Sequence, residues 1–427
     1  MPRTRCRRTK TMPHLHVALV TEHPEASLIP LLQLRPQRVV LVAGRQQQQT
    51  AERLQILLQH ELSSHTEIHR WDEMPERDPQ RISAFATGLA QWLSRQQRDT
   101  PELTVTYDLA DSDKLTALLF QQAMRHCKAD WLYVDSRAGA LYRMGPGLNP
   151  STLEAVAIEP VLDVDTFLQA NGRKRIKALS DNPAWRSAAE RHKALTRYLG
   201  HQADKLAWLL SELHERIHGS QGVLGIADPG EGPRLDPAAR QQRLSRAPHF
   251  PCTDALNELN TAGMLEWSSA DPQRVSFSSL AGALYLGGGW LTEYAWLCAQ
   301  EVGLHQACCG AHVLDLSGQH NGEPVVSDCL AVHHNQLLFI ECLTTGPGPD
   351  ACLQQGLKRL HDMLDHSAGL ASTRLLLACG EFDRACQHLT DLQRSQGLEV
   401  AVIECGELKQ LPVYLRHWME TGRWPQP

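Results

Sequence analysis

Strand-like segments that alternate with helical segments are the feature that most constrains how this chain can fold. Apolar, strand-like runs occupy 16–20, 38–44, 102–109 and 130–136, and a segment with helical spacing at 46–62 separates two of them. Alternating strands and helices form parallel sheets through right-handed crossovers. The amino half is therefore predicted to be an α/β domain, with ligands bound beyond the carboxyl ends of its strands.

The loop after the first strand argues against an ordinary dinucleotide site. A Gly-x-Gly-x-x-Gly segment at this place would cradle a pyrophosphate, but residues 21–27 read TEHPEAS. The length of 427 residues is too great for one hydrophobic core and predicts two or three domains.

Charge and composition exclude several classes of protein. The formal charge is −6, and five basic residues lie within the first eleven positions, which leaves −11 for the chain from Met12 onward. Such a chain does not coat nucleic acid by bulk attraction. We expect residues 1–12 to be a disordered basic head and Met12 to be the true start, with a nucleic-acid-binding arm as the alternative.

The sequence also predicts where the protein works. No apolar run of 18 residues is present, so no membrane span is expected. The 12 cysteines include no Cys-x-x-Cys pair, and most lie in apolar runs as small core residues. A reducing compartment, the cytoplasm, is predicted.

The middle of the chain has a different pattern. Residues 185–217 are charged and helical, and the segment 254–267 followed by 274–279 predicts a helix and then a short hairpin. This order is winged-helix-like. The presumed recognition helix carries acids and almost no Lys or Arg, which disfavours phosphate contacts and favours a packing module over DNA reading.

The carboxyl part places acids in apolar surroundings. Asp328 and Glu341 lie in two strand-like runs joined by a His-His-Asn turn, and Glu293 lies one helical turn after a Gly-Gly-Gly-Trp segment. A buried carboxylate needs a partner. Acids on adjacent hairpin strands suit a hard divalent cation, so these three residues form a predicted metal site.

Three stretches of this region carry a resemblance to a known family. GGGWLTEY at 287–294, SDCLAVHHNQLLFIEC at 327–342 and QQGLKRL at 354–360 resemble the restriction-endonuclease-like domain of CRISPR ancillary nucleases. These proteins join a CARF sensor domain to a PD-(D/E)xK nuclease and are switched on by cyclic oligoadenylate. The resemblance extends more loosely into the amino half.

The resemblance implies roles for individual residues. Glu293 matches the helix acid, Asp328 the metal-binding aspartate and Glu341 the second metal ligand, with Mg²⁺ or Mn²⁺ as cofactor. The family's catalytic lysine falls on Leu343, which can neither hold water nor stabilise charge on a phosphate. Lys358 on the following helix is the candidate replacement, with a solvated helix lysine as the alternative.

The amino half contains a segment similar to the family's ligand loop. Residues 108–116 read DLADSDKLT, where a strand-to-helix turn makes a natural anion site. Asp108, Ser112 and Lys114 are predicted ligand-binding residues there. Thr21 and Ser27 bound the second expected ligand-contacting loop.

Two acids depart from the family pattern in that loop. Asp111 and Asp113 stand where the family has Gly and Thr, and their charges would oppose the phosphates of a cyclic oligonucleotide. The alternative interpretation of Asp111 to Asp113 is a helix cap with favourable acids in the first turn.

Together these inferences predict a cytoplasmic homodimer that responds to cyclic oligoadenylate and cuts DNA, RNA or both. Arg359 and Arg374 join Lys358 as candidate groove residues for that substrate. The alternative is a degenerate relative that senses ligand but no longer cuts. The predicted parts are a basic head at 1–12, a Rossmann-like CARF domain at 13–170, a winged-helix-like connector at 171–282 and a restriction-endonuclease-like α/β domain at 283–427.

Overall fold

The computed structural model divides the chain into two compact units, one up to Arg173 and one from Lys174. No helix in the described part is long and apolar enough to cross a membrane. The structure describes residues 13–108, 112–135, 139–145, 151, 153–225, 232–316, 323–344, 359, 372–379 and 400–425.

The first unit is built on a seven-stranded sheet in the order β3-β2-β1-β4-β5-β6-β7. Its first five strands run parallel, and β6 and β7 add an antiparallel edge. The strands are β1 (His14–Leu19), β2 (Arg38–Gly44), β3 (Glu67–Met74), β4 (Thr104–Asp108), β5 (Ala129–Asp135), β6 (Ala140–Met144) and β7 (Glu154–Ala157). The helices are α1 (Pro24–Leu34), α2 (Gln48–Glu61), α3 (Pro79–Asp99), α4 (Lys114–Met124) and α5 (Val164–Ala170).

Alternation along β1 shows how the sequence directs the two faces of this sheet. Leu15, Val17 and Leu19 point into a core that includes residues of α3 and α4. His14 and His16 therefore point to the opposite face, and His16 is completely buried there.

The second unit is built on a six-stranded mixed sheet in the order β18-β17-β16-β15-β14-β8. A smaller three-stranded sheet, in the order β11-β13-β12, lies in the segment between β8 and β14. The strands are β8 (Arg173–Lys177), β9 (Leu224–Gly225), β10 (Arg234–Leu235), β11 (Gln241–Arg243), β12 (Glu266–Trp267), β13 (Arg274–Ser276), β14 (Cys308–Asp315), β15 (Val325–His333), β16 (Gln336–Thr344), β17 (Ser372–Cys379) and β18 (Ala401–Glu404).

One hydrophobic core joins the helices of the middle segment to the main sheet of this unit. Leu206 of α7, Leu256 of α8, Trp290 of α10 and Ile340 of β16 all belong to it. The helices are α6 (Pro183–His201), α7 (Ala203–His218), α8 (Cys252–Thr261), α9 (Leu280–Leu284), α10 (Trp290–Glu301) and α11 (Leu411–Thr421), with a π-turn at Tyr285–Gly289 between α9 and α10.

The predicted α/β fold class is confirmed, with a Rossmann-like amino-terminal sheet and a carboxyl-terminal α/β domain. The helix α8 followed by the antiparallel pair β12 and β13 gives the winged-helix-like pattern. The sequence did not reveal the edge strands β3 and β7 or the neighbouring strand β6, because these strands lack continuous apolar runs.

A close helix contact at Gly200 of α6 gives a prediction for stability. A Cβ atom at Gly200 would lie 2.3 Å from Cε2 of Tyr294 in α10. Gly200→Ala should therefore lower the free energy of unfolding by about 1–3 kcal/mol, measured by urea denaturation. Gly88→Ala in α3 is the matched control, because a Cβ there meets nothing within 4 Å. It should raise stability by about 0.5–1 kcal/mol, and an equal loss in both variants would contradict the assigned contact.

The buried His16 gives a prediction for pH. Burial, with a smaller contribution from His14, lowers the pKa of His16 to about 3. The unfolded chain therefore takes up a proton as pH falls below 6.5, while the folded chain does not, and stability drops by about 1.4 kcal/mol per pH unit. His16→Asn should remove about 1.4 kcal/mol per pH unit from the slope of the unfolding free energy between pH 6.5 and 4. His60→Asn, at an exposed position, is the matched control for the loss of one histidine.

Candidate functional site

A tight turn sets the register of the hairpin that carries the site. His334 and Asn335, the two turn residues, have φ angles of 47° and 65°. Positive φ at both central positions is the type I′ geometry that matches the twist of two antiparallel strands. The register of β15 against β16 is therefore fixed by the turn, and a slip by one residue would send every side chain to the other face.

This register brings two acids face to face. The ladder runs from His333 opposite Gln336 to Cys329 opposite Ile340. The next positions outward are Asp328 and Glu341, whose side chains thus leave the same face of the sheet. The sequence-predicted pair is brought together by the structure.

Both carboxylates lie inside the domain with few compensating donors. Glu341 is fully buried, and Asp328 is partly buried. The backbone N–H of Cys342 donates to Oδ2 of Asp328 at 2.8 Å, and the hydroxyl of Thr292 in α10 donates to Oδ1 at 3.1 Å. Asp328 is thereby oriented towards Glu341 by a strand and by a helix.

Burial raises the pKa values of both acids. For Glu341 the negative charge of Asp328 raises the pKa further, well above the usual value of a glutamate. For Asp328 the hydrogen bond from Cys342 and the charge of Arg359 oppose the rise. Two buried carboxylates that repel one another retain a shared proton or attract a cation.

The cation that the structure supplies is Arg359. Its Nε lies 2.6 Å from Oε1 of Glu341, and its side chain is 36% exposed. A guanidinium that reaches a buried carboxylate while remaining open to solvent can also meet a phosphate oxygen. Arg359 was predicted only as a groove residue.

The structure places Glu293 in a different set of contacts. Its Oε1 accepts a 2.6 Å hydrogen bond from the hydroxyl of Thr196 in α6, and that hydroxyl also lies 2.8 Å from the hydroxyl of Tyr285. His192 lies 3.9 Å from the other carboxylate oxygen. Burial raises the pKa of Glu293 to about 7.

The described contacts of the Glu293 carboxylate are thus with α6, and its predicted role as a metal ligand stays a prediction. Within the residues that the structure describes, no three His, Cys, Asp or Glu side chains are close enough to hold one metal ion. The neighbouring Thr292, rather than Glu293, contacts Asp328.

The glycine-rich turn before α10 is held by two histidines of α7. The carbonyl of Gly287 accepts hydrogen bonds from Nδ1 of His214 at 2.8 Å and from Nε2 of His218 at 3.0 Å. A Cβ on Gly287 would lie 2.5 Å from that His218 nitrogen, so a larger residue would break the clamp. The clamp fixes the start of the helix that carries Thr292 and Glu293.

The position of the family lysine is apolar in this chain. Leu343 follows Glu341 by two residues on the same face of β16 and is only 5% exposed. Lys358, the predicted replacement, lies outside the described residues.

Four of the candidate sensor residues lie at or after the carboxyl ends of β1 and β4, two central strands of the amino-terminal sheet. Asp108 ends β4, opposite Ala18 of the adjacent strand β1. Thr21 lies two residues after the end of β1, Ser112 precedes α4, and the exposed Lys114 is the first residue of α4. The parallel strands thus bring these four residues to the carboxyl ends of the strands, where ligands bind in such sheets.

Ser27 has a different position. Its side chain is buried, and its hydroxyl donates to the carbonyl of Leu19 at 2.9 Å. This hydrogen bond connects α1 to the end of β1, next to the candidate sensor residues.

The helix-cap interpretation of the loop at 108–116 is realised at Asp113. Its carboxylate accepts hydrogen bonds from the backbone N–H groups of Leu115 and Thr116 at 3.0 and 2.9 Å. Burial opposes these bonds, but together they lower the pKa of Asp113. Asp111 lies outside the described residues.

Sequence reasoning missed Thr292 and Thr196 as contacts of the acids. Thr292 had one weak signal, its place beside Glu293 in the motif. Thr196 had none, because its contact joins helices that are 97 positions apart in the chain.

Comparison with known proteins identifies the class of the carboxyl-terminal part of the second unit. Residues 282–421 match the family model described as Card1-like, endonuclease domain. The chain therefore carries a Card1-like endonuclease domain at its carboxyl end, which confirms the resemblance seen in the motifs. No curated protein sequence matches the chain.

Two solved structures share the fold over nearly the whole chain. The protein VC1899 from Vibrio cholerae is 17% identical, with a TM-score of 0.71, and the match covers 96% of this chain and 99% of that one. Can2 from Sulfobacillus thermosulfidooxidans, solved in complex with cyclic tetra-adenylate, is 16% identical, with a TM-score of 0.67 over 96% of this chain and 98% of that one. At these identities the likeness defines the fold.

The repulsion between Asp328 and Glu341 predicts that loss of one acid raises the free energy of unfolding but removes the response to Mn²⁺. Glu341→Gln removes one of two buried like charges, so it should raise the free energy of unfolding without metal by about 0.5–2 kcal/mol. Mn²⁺ should raise the unfolding temperature of the wild type but not of this variant. Thermal unfolding with and without Mn²⁺ measures both effects.

Glu420→Gln is the control, because it makes the same chemical change at an exposed helix position. It should leave both values unchanged. A Glu341→Gln protein that is less stable than the wild type and still responds to Mn²⁺ would contradict the assigned repulsion.

Proposed function

We propose that the chain is a divalent-cation-dependent nuclease of CRISPR antiviral defence that responds to cyclic oligoadenylate and cuts phosphodiester bonds of DNA, RNA or both. The observation that carries the proposal is the facing pair Asp328 and Glu341 inside the Card1-like endonuclease domain. Buried, mutually repelling carboxylates are costly to a fold and cluster at functional sites.

The donor set suits a hard divalent cation such as Mg²⁺ or Mn²⁺. Asp328 and Glu341 would hold it, since carboxylate oxygens are the ligands these ions prefer and both side chains leave one face of the sheet. When bound, the ion polarises a phosphodiester and lowers the pKa of its water. Glu293, held by Thr196, is proposed as the acid that positions the helix next to this pair.

Arg359 is proposed to supply the positive charge that Leu343 lacks. Its guanidinium touches Glu341 and is partly exposed, so it can orient a scissile phosphate and stabilise the charge that develops on it. Lys358 remains the neighbouring candidate. Arg374, in β17 opposite Phe339, is kept as a groove residue.

The sensor domain is proposed to bind its activator at the carboxyl ends of β1 and β4, where Thr21, Asp108, Ser112 and Lys114 lie. Lys114 begins α4, where its ammonium and the first backbone N–H groups favour phosphate. Can2, bound to cyclic tetra-adenylate, has the same fold, which supports this ligand class. A symmetric ring is best met by two copies of the chain, so we propose a homodimer.

A degenerate, ligand-sensing protein is the alternative function. The observation that favours it is Leu343, an apolar and nearly buried residue at the position of the catalytic lysine.

The described cysteines are all thiols, which supports the proposed cytoplasmic location.

The proposal is tested by nicking of plasmid DNA and single-stranded RNA with Mn²⁺, with and without cyclic oligoadenylates. The wild type should cut, and a cyclic oligoadenylate should accelerate it. Asp328→Ala should abolish cutting and also the Mn²⁺-induced rise in unfolding temperature, because a metal ligand is lost. Lys114→Ala should weaken activation while leaving Mn²⁺ binding intact.

Ligand binding separates the two functions. A wild type that binds a cyclic oligoadenylate but cuts no substrate under any condition establishes the degenerate alternative. Cutting that survives Asp328→Ala would place the active site elsewhere.

The role of Arg359 has its own test in the same assay. Arg359→Ala should reduce the cleavage rate by about 10²–10³-fold, as loss of one charge-stabilising donor does in other enzymes. Arg359→Lys should recover part of that rate. Arg416→Ala, which removes an arginine that is 52% exposed on α11, is the matched control and should cut at the wild-type rate. Equal rates for Arg359→Ala and the control would contradict this role.

A further inference from the structure

Two thiols face one another at the carboxyl ends of β17 and β18. Cys379 is the last residue of β17, and Cys405 follows the last residue of β18. Their sulfur atoms are 3.1 Å apart, compared with about 2.05 Å in a disulfide bond. The pair takes no part in the candidate site.

The register of the strands makes this approach a property of the fold. The parallel ladder ends with Ala378 opposite Glu404, so Cys379 and Cys405 occupy the next pair of positions. Neighbouring strands lie about 4.7–4.9 Å apart, within the range of Cα separations that a disulfide spans.

The two thiols differ in access. Cys379 is completely buried, whereas Cys405 is partly exposed. The hydrogen bond with Cys405, and then burial, raises the pKa of the Cys379 thiol well above its usual value. Cys405 is therefore the thiol that a small molecule reaches first.

We propose that Cys379 and Cys405 form a reversible disulfide when the protein meets a small-molecule disulfide such as oxidised glutathione. The thiolate of Cys405 attacks one sulfur of the oxidant and releases one reduced thiol, which takes up the proton. Cys379 then loses its proton, attacks Cys405 and releases the second. Two protein thiols are oxidised, one disulfide is reduced, and two protons pass to the released thiols.

This cross-link closes a loop between two strands of the sheet that carries the site. Cys379 lies opposite Thr344, the last residue of β16, three positions after Glu341. A cross-link here restricts the unfolded chain and should raise the unfolding temperature of the oxidised protein.

The facing pair Cys309 and Cys329 is a useful internal comparison. These residues are directly opposed on β14 and β15 and are both completely buried. The sulfur of Cys309 instead donates to the carbonyl of Thr292 at 3.8 Å. Their burial should protect them from the same oxidant.

The experiment treats the full chain with oxidised glutathione, alkylates the remaining thiols and maps the digested peptides by mass spectrometry. A Cys379–Cys405 cross-link that dithiothreitol removes is the expected result, with a higher unfolding temperature before reduction. Cys379→Ser should leave a glutathione adduct on Cys405, and Cys405→Ser should leave Cys379 unmodified.

Three results would overturn the proposal. They are a stable glutathione adduct on wild-type Cys405, no modification of either residue, and a cross-link at Cys309 and Cys329 in place of this one. Because the readout is covalent, failure here is distinguishable from failure of the nuclease proposal.

Discussion

The second unit depends on a costly arrangement, the burial of Asp328 against Glu341 on neighbouring strands. Among the residues that the structure describes, neither acid has a full set of donors. Glu341 is completely buried, and the described charged group that reaches it is Arg359. A carboxylate in such surroundings normally costs several kcal/mol unless it is paired. The sequence nevertheless fixes both acids in place through the I′ turn and the strand register.

The surrounding structure can be understood as the means of holding these acids. The core that joins α6, α7 and α8 to the main sheet positions α10, whose Thr292 bonds to Asp328. The glycine-rich turn, clamped by His214 and His218, fixes where α10 begins. Helices from the middle of the chain thereby help to position the acids of β15 and β16. Their packing makes the middle segment part of the same unit as the endonuclease sheet.

The sequence predicted those strands and turns whose signal lies in short-range patterns. Apolar continuity gave β1 and β2, and the His-His-Asn turn between two apolar runs gave the hairpin and hence the Asp328–Glu341 pair. The polar strand β3 was missed, because an edge strand need not be apolar. The match of residues 282–421 to an endonuclease domain had its signal in the motifs themselves.

What the sequence could not reveal depends on contacts between distant residues. The resemblance implies Glu293 as a metal ligand, and the structure adds a hydrogen bond to its carboxylate from Thr196, which no motif marks. The cation beside Glu341 was sought at Lys358, whereas the described contact is one position further on, at Arg359. Lys358 itself lies outside the described residues and stays a prediction.

The central claim is that Asp328 and Glu341 together bind a divalent cation. Anomalous diffraction at the manganese edge, from crystals of the full chain grown with Mn²⁺, tests it most directly. The account predicts one peak within coordination distance of both carboxylates, with the guanidinium of Arg359 displaced from Glu341. A well-ordered Mn²⁺ elsewhere in the domain, with Arg359 still paired to Glu341, would contradict it.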